Sequence, residues 1–247
     1  MDIDVLAFGA HPDDTELSCS GTLAALIKNG RKVAVVDLTR GEMGSRGTPE
    51  LRKKEAQKAA EILGLHAREN IGLPDTELAN NRKHQKAIIQ KIRQFRPHIC
   101  LIPTPKDRHP DHENATALLT DAIFYSGLAK IETTGADGKM QKHFRPSHVL
   151  HFMQHDHIDP DFVYDITDTI EIKEKAIMAF SSQFNVEDPG DEPETYISDP
   201  AFFDALRAKA AYFGQMAGYK FGEGFLYARK PFPLQNFNFL FDTSPKR

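Results

Sequence analysis

His11, Asp13 and Asp14 stand together in Ala10-His11-Pro12-Asp13-Asp14-Thr15-Glu16, and Arg108-His109-Pro110-Asp111-His112 uses the same residue types later in the chain. Imidazole and carboxylate side chains bind catalytic zinc, which usually takes three protein ligands and keeps a position open for water. His11, Asp14 and His112 can supply such a set, and neither Cys19 nor Cys100 lies in a ligand motif. Asp13 is then next to a ligand yet free to take a proton from a water that the cation polarises. The cation would also act as a Lewis acid on a carbonyl oxygen. His109, if protonated, could donate to a developing oxyanion or to a leaving amine, and Asp111 could orient an imidazole. Each segment alone also reads as a helix start. Asp13 or Asp14 would accept the first free N–H groups, and Pro110 would occupy the first helical position. Finding both clusters after separate apolar runs favours the metal reading.

The elements that must position these residues follow from periodicity. Val5 to Gly9 reads as a buried strand and Leu17 to Lys28 as a helix ended by Asn29-Gly30. Lys32 to Leu38 is β-branched and reads as a second strand. A polar, Gly-rich loop, Thr39 to Thr48, leads to Pro49 and a helix over Glu50 to Leu63. Glu69 to Leu73 reads as a strand, Arg82 to Phe95 as a helix stopped before Pro97, and His98 to Ile102 as a strand. A helix is expected from Pro110 to about Tyr125, a turn over Thr133 to Lys139, and a strand over His148 to Gln154. Helices are expected over Asp168 to Phe180 and Phe202 to Phe213, with an acidic surface loop over Glu187 to Pro193. Strand and helix alternate with short loops. This predicts an α/β fold with a Rossmann-like, mostly parallel sheet and helices on both faces. Ligands bind such sheets beyond the carboxyl ends of the strands, where both clusters fall. No GxGxxG follows the first strand, so a dinucleotide site is not expected.

Composition bounds the rest. The 247 residues suit one sizeable core, and 40% hydrophobic with 27% charged residues is ordinary for a globular chain. A net charge of −4 gives no reason to expect a nucleic-acid or anionic-membrane partner. Two cysteines make no disulfide framework, and no apolar run approaches the roughly 20 residues of a spanning helix. Met1-Asp2-Ile3-Asp4 is acidic where a secretory leader would be basic, so a cytoplasmic protein is expected. His148, His151, His155 and His157 form a run whose spacing matches no tight metal motif.

The paired AHPDDTE and HPDH motifs resemble those of the LmbE-like, PIG-L-type zinc deacetylases, which act on N-acetylglucosaminyl groups. Thr39 to Gly47 (TRGEMGSRG), Arg52, Gly72-Leu73-Pro74-Asp75 and Gly218 to Phe225 (GYKFGEGF) are similar to the branch that removes acetate from N-acetylglucosaminyl L-malate in bacillithiol biosynthesis. The similarity runs over nearly the whole chain. It implies a single domain over 1–247, with a metal-site core over 1–130 and substrate-site and oligomerisation elements over 131–247. It implies zinc, or alternatively Fe2+, on His11, Asp14 and His112, with Asp13 as general base and later general acid. His109 would assist the tetrahedral intermediate, and Asp111 would polarise the histidine system. Arg52 falls where the family places a substrate-binding arginine, and Asp75 lies in a segment expected at the substrate. Arg46 is a candidate to hold the malate carboxylates, because a guanidinium can hold a carboxylate bidentately. Tyr196 is the candidate for a mobile oxyanion-supporting tyrosine. A homo-oligomer, a hexamer in the family, acting on a small glycoconjugate is implied. The rival expectations are the same chemistry on chitin oligosaccharide, free N-acetylglucosamine or a mercapturate conjugate, and a non-catalytic sugar- or metal-binding protein.

Overall fold

The computed structural model of the chain describes residues 2–184 and 192–233. The elements are β1 (Val5–Gly9), α1 (Asp14–Lys28), β2 (Val33–Asp37), α2 (Pro49–Leu63), β3 (Ala67–Asn70), α3 (Arg82–Phe95) and β4 (Ile99–Pro103). They continue with α4 (Pro110–Ser126), β5 (His148–Phe152), β6 (Phe162–Asp165), α5 (Ile170–Met178), α6 (Pro200–Ala217) and β7 (Gly222–Tyr227). All seven strands form one sheet in the order β3-β2-β1-β4-β5-β7-β6. The first five are parallel, and β7 runs antiparallel between β5 and β6. Strand order therefore reverses between β1 and β4, and the crevice outside their carboxyl ends is where such sheets bind ligands.

Alternation along the central strands sends side chains to two cores. Leu6, Phe8, Val36 and Ile102 pack with Ile88, Ile89 and Ile92 of α3 and Leu118 and Leu119 of α4. Val5, Ala7, Val33 and Val35 pack on the other face with Cys19 and Leu23 of α1. Behind α1, Ala56, Ala59 and Leu63 of α2 meet Ile177 and Phe180. Each large apolar side chain buried this way contributes roughly 1.5–3 kcal/mol. Helix starts are capped as their residue types dictate. Thr48 accepts from Leu51 N–H with Pro49 at the first helical position, and Asn81 accepts from His84 N–H.

The differences from expectation have local causes. α1 begins at Asp14 rather than Leu17, because Asp13 turns the chain with φ 118° directly into the helix. β3 lies over Ala67–Asn70 rather than Glu69 to Leu73, set by pairing of Ala34 with Ala67. α5 is shorter than expected, and α6 is longer at both ends. The Thr133 to Lys139 turn agrees with expectation, Thr134 bridging Met140 to make it a hairpin tip. Most of the expected loop over Glu187 to Pro193 lies outside the described residues. β6 and β7 were not expected. β6 is four residues long, and β7 begins Gly-Glu-Gly, a poor strand pattern that tertiary contacts override. Gly214 of α6 lies against β7, where an added Cβ would come within 2.7–2.8 Å of the Phe221 backbone. Buried Glu223 of β7 accepts from Thr22 Oγ1 at 2.6 Å and pairs with Lys173 Nζ at 2.6 Å, which ties β7 to α1 and α5.

Candidate metal and catalytic site

The His-Pro-Asp-Asp turn leaves β1 and the His-Pro-Asp-His turn leaves the loop after β4, at the switch point. Neither acid of the first turn caps α1. The Asp13 side chain makes no cap hydrogen bond, and its Oδ2 accepts from Arg52 Nη2 at 2.9 Å. Asp14 Oδ2 accepts from the His11 backbone N–H at 2.8 Å, and its Oδ1 faces His112 Nε2 at 3.3 Å. The first motif thus starts a helix, but neither of its acids supplies the side-chain cap. The second motif also starts a helix, α4 beginning at Pro110 as expected, and His109 caps it, its Nδ1 accepting from Asp111 N–H at 3.2 Å.

One ligand-capable atom from each of His11, Asp14 and His112 lies within 4.8 Å of the others, and all three residues are buried. The outward nitrogens decide how these residues present themselves. His11 Nε2 donates to Asp75 Oδ1 at 3.1 Å and lies 3.4 Å from Asp111 Oδ2. The Thr76 N–H donates to both of those carboxylates at 2.9 Å. His112 Nδ1 donates to Asp107 Oδ1 at 2.9 Å. Gln154 Nε2 donates to Asp14 Oδ1 at 2.8 Å. An imidazole that gives its distal N–H to a carboxylate while the near nitrogen faces a shared point is the usual form of a metal-ligating histidine. The donor set thus fits a divalent cation of the zinc class, with His11 Nδ1, an Asp14 oxygen and His112 Nε2 toward it. Two further triads, His11/His109/Asp111 and Asp107/His112/His155, use the outward faces of the same two imidazoles.

Electrostatics follow from this crowding. Burial, with Asp14 alongside, pushes the Asp13 carboxyl up to about 7 against the opposing pull of Arg52. Burial also works against ionised Asp14, but His112, and then His11, hold its carboxyl well below the usual carboxylate range. Burial disfavours imidazolium at His11, yet Asp111, Asp75 and Asp14 raise it to about 10. His112 likewise rises to about 9 through Asp14 and Asp107 despite its burial. His109 is shifted the other way, downward, by burial and by the neighbouring His11 and His112. A neutral His109 with Nδ1 as acceptor carries its proton on Nε2, which makes it a hydrogen-bond donor.

The cavity outside this cluster has a volume of about 350 Å³ and is bordered by Asp13, Met43, Arg46, Arg52, Arg108, His109, His155 and Tyr196. A larger cavity of about 440 Å³ lies on the other side of Pro12. Its deepest charged groups satisfy one another, Arg68 forking Asp37 at 2.9 Å and meeting Glu16 at 2.6 Å.

The structure places the expected substrate residues unevenly. Arg52 is buried and holds Asp13, and its Nη2 also donates to Pro12 O at 2.5 Å. Asp75 borders the cavity and also holds the His11 imidazole. Asp111, expected to polarise the histidine system, has its Oδ2 3.4 Å from His11 Nε2. Arg46 borders the cavity, yet its guanidinium donates to Ser182 O at 3.0 Å and Pro193 O at 2.9 Å and pairs with Glu192. It is thus spent inside the protein, which corrects the expectation that it is free to fork a carboxylate. Tyr196 is 59% exposed at the rim, under the Arg108 guanidinium at 4.6 Å. Of the late histidine run only His155 reaches the site, its ring 6.0 Å from that of His112. His151 Nδ1 is hydrogen-bonded to Pro103 O, and His148 to the Tyr227 hydroxyl. Asp107 and Gln154 were missed by sequence reasoning, and His155 was seen only as one of the late histidine run. The signal was their place, just past the carboxyl ends of β4 and β5 beside the switch point.

The doubly wound α/β sheet carries at its switch point a His2Asp cluster that could hold a metal, with the Arg52-paired carboxylate of Asp13 beside it. The sequence profile of the family described as PIG-L: GlcNAc-PI de-N-acetylase matches residues 6–123. A diacetylchitobiose deacetylase of Thermococcus kodakarensis is 32% identical over 230 residues, spanning 89% of this chain and 81% of that protein. Among solved structures, the conserved protein TT1542 of Thermus thermophilus matches with TM-score 0.82 and 35% identity, over 95% of this chain and 97% of that one. The N,N'-diacetylchitobiose deacetylase of Pyrococcus horikoshii matches with TM-score 0.75 and 27% identity, over 91% and 83%. The chain belongs to the PIG-L/LmbE-like deacetylase family.

Proposed function

We propose that this chain is a divalent-metal-dependent N-deacetylase that hydrolyses the acetamide of N-acetylglucosaminyl L-malate, the step that supplies glucosaminyl malate for bacillithiol. The observation that carries the hydrolase reading is the division within one turn: His11 and Asp14 converge with His112, while Asp13 caps nothing and borders the cavity. Support for an anionic aglycone comes from Arg108, exposed at the rim with no carboxylate partner among the described residues.

In this reading His11, Asp14 and His112 hold zinc, with Fe2+ the alternative because it suits the same donors. The bound cation supplies Lewis acidity to the acetyl carbonyl and acidifies water. Asp13 takes a proton from the attacking water and returns one to the departing nitrogen. The C–N bond breaks, leaving acetate and the free amine. His109 donates from Nε2 to the carbonyl oxygen as charge grows there, without needing to be protonated beforehand. Tyr196 lies at the rim on the side of His155 and Arg108, where it can close over the sugar. The chain acts as a single domain, residues 131–247 completing the substrate side and carrying contacts of a cytoplasmic homo-oligomer. No helix among the described residues is long and apolar enough to cross a membrane.

A second reading, deacetylation of a chitobiose-type sugar, is favoured by the names of the Thermococcus and Pyrococcus relatives. Acetate release from N-acetylglucosaminyl malate, diacetylchitobiose and N-acetylglucosamine separates the two, using anaerobically purified protein of measured metal content. The malate conjugate is expected to give the highest kcat/KM, and a preference for diacetylchitobiose would overturn the substrate assignment. Chelator-insensitive acetate release would overturn the metal assignment.

A further inference from the structure

The two ligand imidazoles are held differently. The outward nitrogen of His11 faces two carboxylates, Asp75 and Asp111, and the Thr76 N–H bridges that pair. The outward nitrogen of His112 has one carboxylate at hydrogen-bond distance, Asp107, at 2.9 Å. The Asp107 side chain is fully enclosed, at 0% exposure. It is itself fixed by three segments. Oδ1 accepts from His109 N–H at 3.1 Å, Oδ2 accepts from His155 N–H at 3.0 Å, and the Asp107 N–H donates to Glu113 Oε1 at 3.1 Å. The His112 and His155 rings lie nearly parallel, 14° apart, on either side of this anchor.

Asp107, His112 and His155 also have the composition of a second metal triad. The geometry speaks against that use. A neutral imidazole has one lone pair, and in the ligand set proposed above His112 gives it from Nε2. Its Nδ1 then carries the proton toward Asp107, 2.9 Å away, and has nothing left to give a second ion. Asp107 Oδ1 is likewise taken by donors.

We propose that Asp107 is a positioning residue of the metal site, holding His112 in the tautomer and orientation that aim Nε2 at the ion, with no second carboxylate among the described residues at hydrogen-bond distance from Nδ1. This rests on the ligand set proposed above. It carries a consequence that burial or charge alone would not. Losing Asp107 should weaken metal binding more than losing Asp75, because Asp111 still holds His11 when Asp75 is gone.

The test is titration of the metal-free protein with Co2+ against a chromogenic chelator, for wild type, Asp107→Asn, Asp75→Asn and His112→Ala. Asp107→Asn is expected to weaken Co2+ binding by about 10–100-fold and to change the visible Co2+ absorption, and Asp75→Asn to weaken binding by less. In zinc-loaded wild type, histidine 15N spectra are expected to find the His112 proton on Nδ1, a readout that survives even if Asp107→Asn fails to fold. Wild-type Co2+ affinity in Asp107→Asn, a larger loss in Asp75→Asn, or a His112 proton on Nε2 would each overturn the proposal. If His112→Ala binds Co2+ like wild type, the ligand set itself is wrong. If Asp107→Asn alone does so, the ligand set stands and the role of Asp107 falls.

Discussion

Arg52 Nη2 lies 2.9 Å from Asp13 Oδ2, and both residues are buried. Asp13 has φ 118°, a conformation that L side chains seldom adopt, so its carboxylate is held out of the helix and against the guanidinium by surrounding structure. Arg52 Nη2 also ties down Pro12 O, so one side chain fixes both the backbone of this turn and its carboxylate. Arg52→Ala leaves a buried acid without its partner. It is expected to cost about 3–5 kcal/mol of stability and to lower kcat more than it raises KM. A rise in KM with kcat intact would instead make Arg52 a substrate-holding residue.

Asp13→Asn keeps the size of the side chain, and Asn tolerates positive φ better than most residues. Turnover is expected to fall by roughly 10²–10⁴-fold, the usual contribution of a positioned base, with metal content unchanged. Metal analysis beside acetate release checks this, and wild-type turnover would remove Asp13 from the role of base.

His11→Ala and His112→Ala each delete one of three converging donors. Both are expected to be purified with little metal and to stay depleted after dialysis against zinc. Full occupancy in both variants would contradict the ligand assignment.

Arg46→Ala removes the donors that Ser182 O and Pro193 O now use. Pro193 is exposed and Ser182 half-buried, so water takes up part of the loss; each hydrogen bond contributes about 0.5–1.5 kcal/mol net, and the expected result is a lower Tm. KM is expected to shift equally for the malate conjugate and for neutral N-acetylglucosamine. A loss confined to the malate conjugate would restore Arg46 to the aglycone.

Without metal, His11 titrates at about 10 and His112 at about 9, both above the ordinary value of 6.5. The folded chain then binds more protons than the unfolded chain between pH 6.5 and 10, so stability falls as pH rises through that window. The Tm of metal-free protein is expected to decline from pH 6.5 to 10, and His112→Gln to flatten the decline. A Tm that climbs over this range would contradict the paired geometry. Bound metal displaces these protons, so the loaded protein should lack the decline.

Much of this protein was legible in its sequence because the informative signals are local. Apolar runs alternating with helical periodicity fix the parallel sheet, and that sheet puts His11 and His112 past the ends of adjacent strands. β6 and β7 escaped because short, Gly-containing strands are made by their neighbours and not by propensity. The sequence alone determined which side chains could bind a cation and where along the chain they would meet. Only the tertiary structure decided how labour is divided among them. Asp13 faces Arg52, Asp75 and Asp111 face His11, and Asp107 faces His112. Nearly all of these pairings join distant segments through crossover packing. Such contacts depend on where whole helices and loops come to rest, which no local pattern of residues encodes.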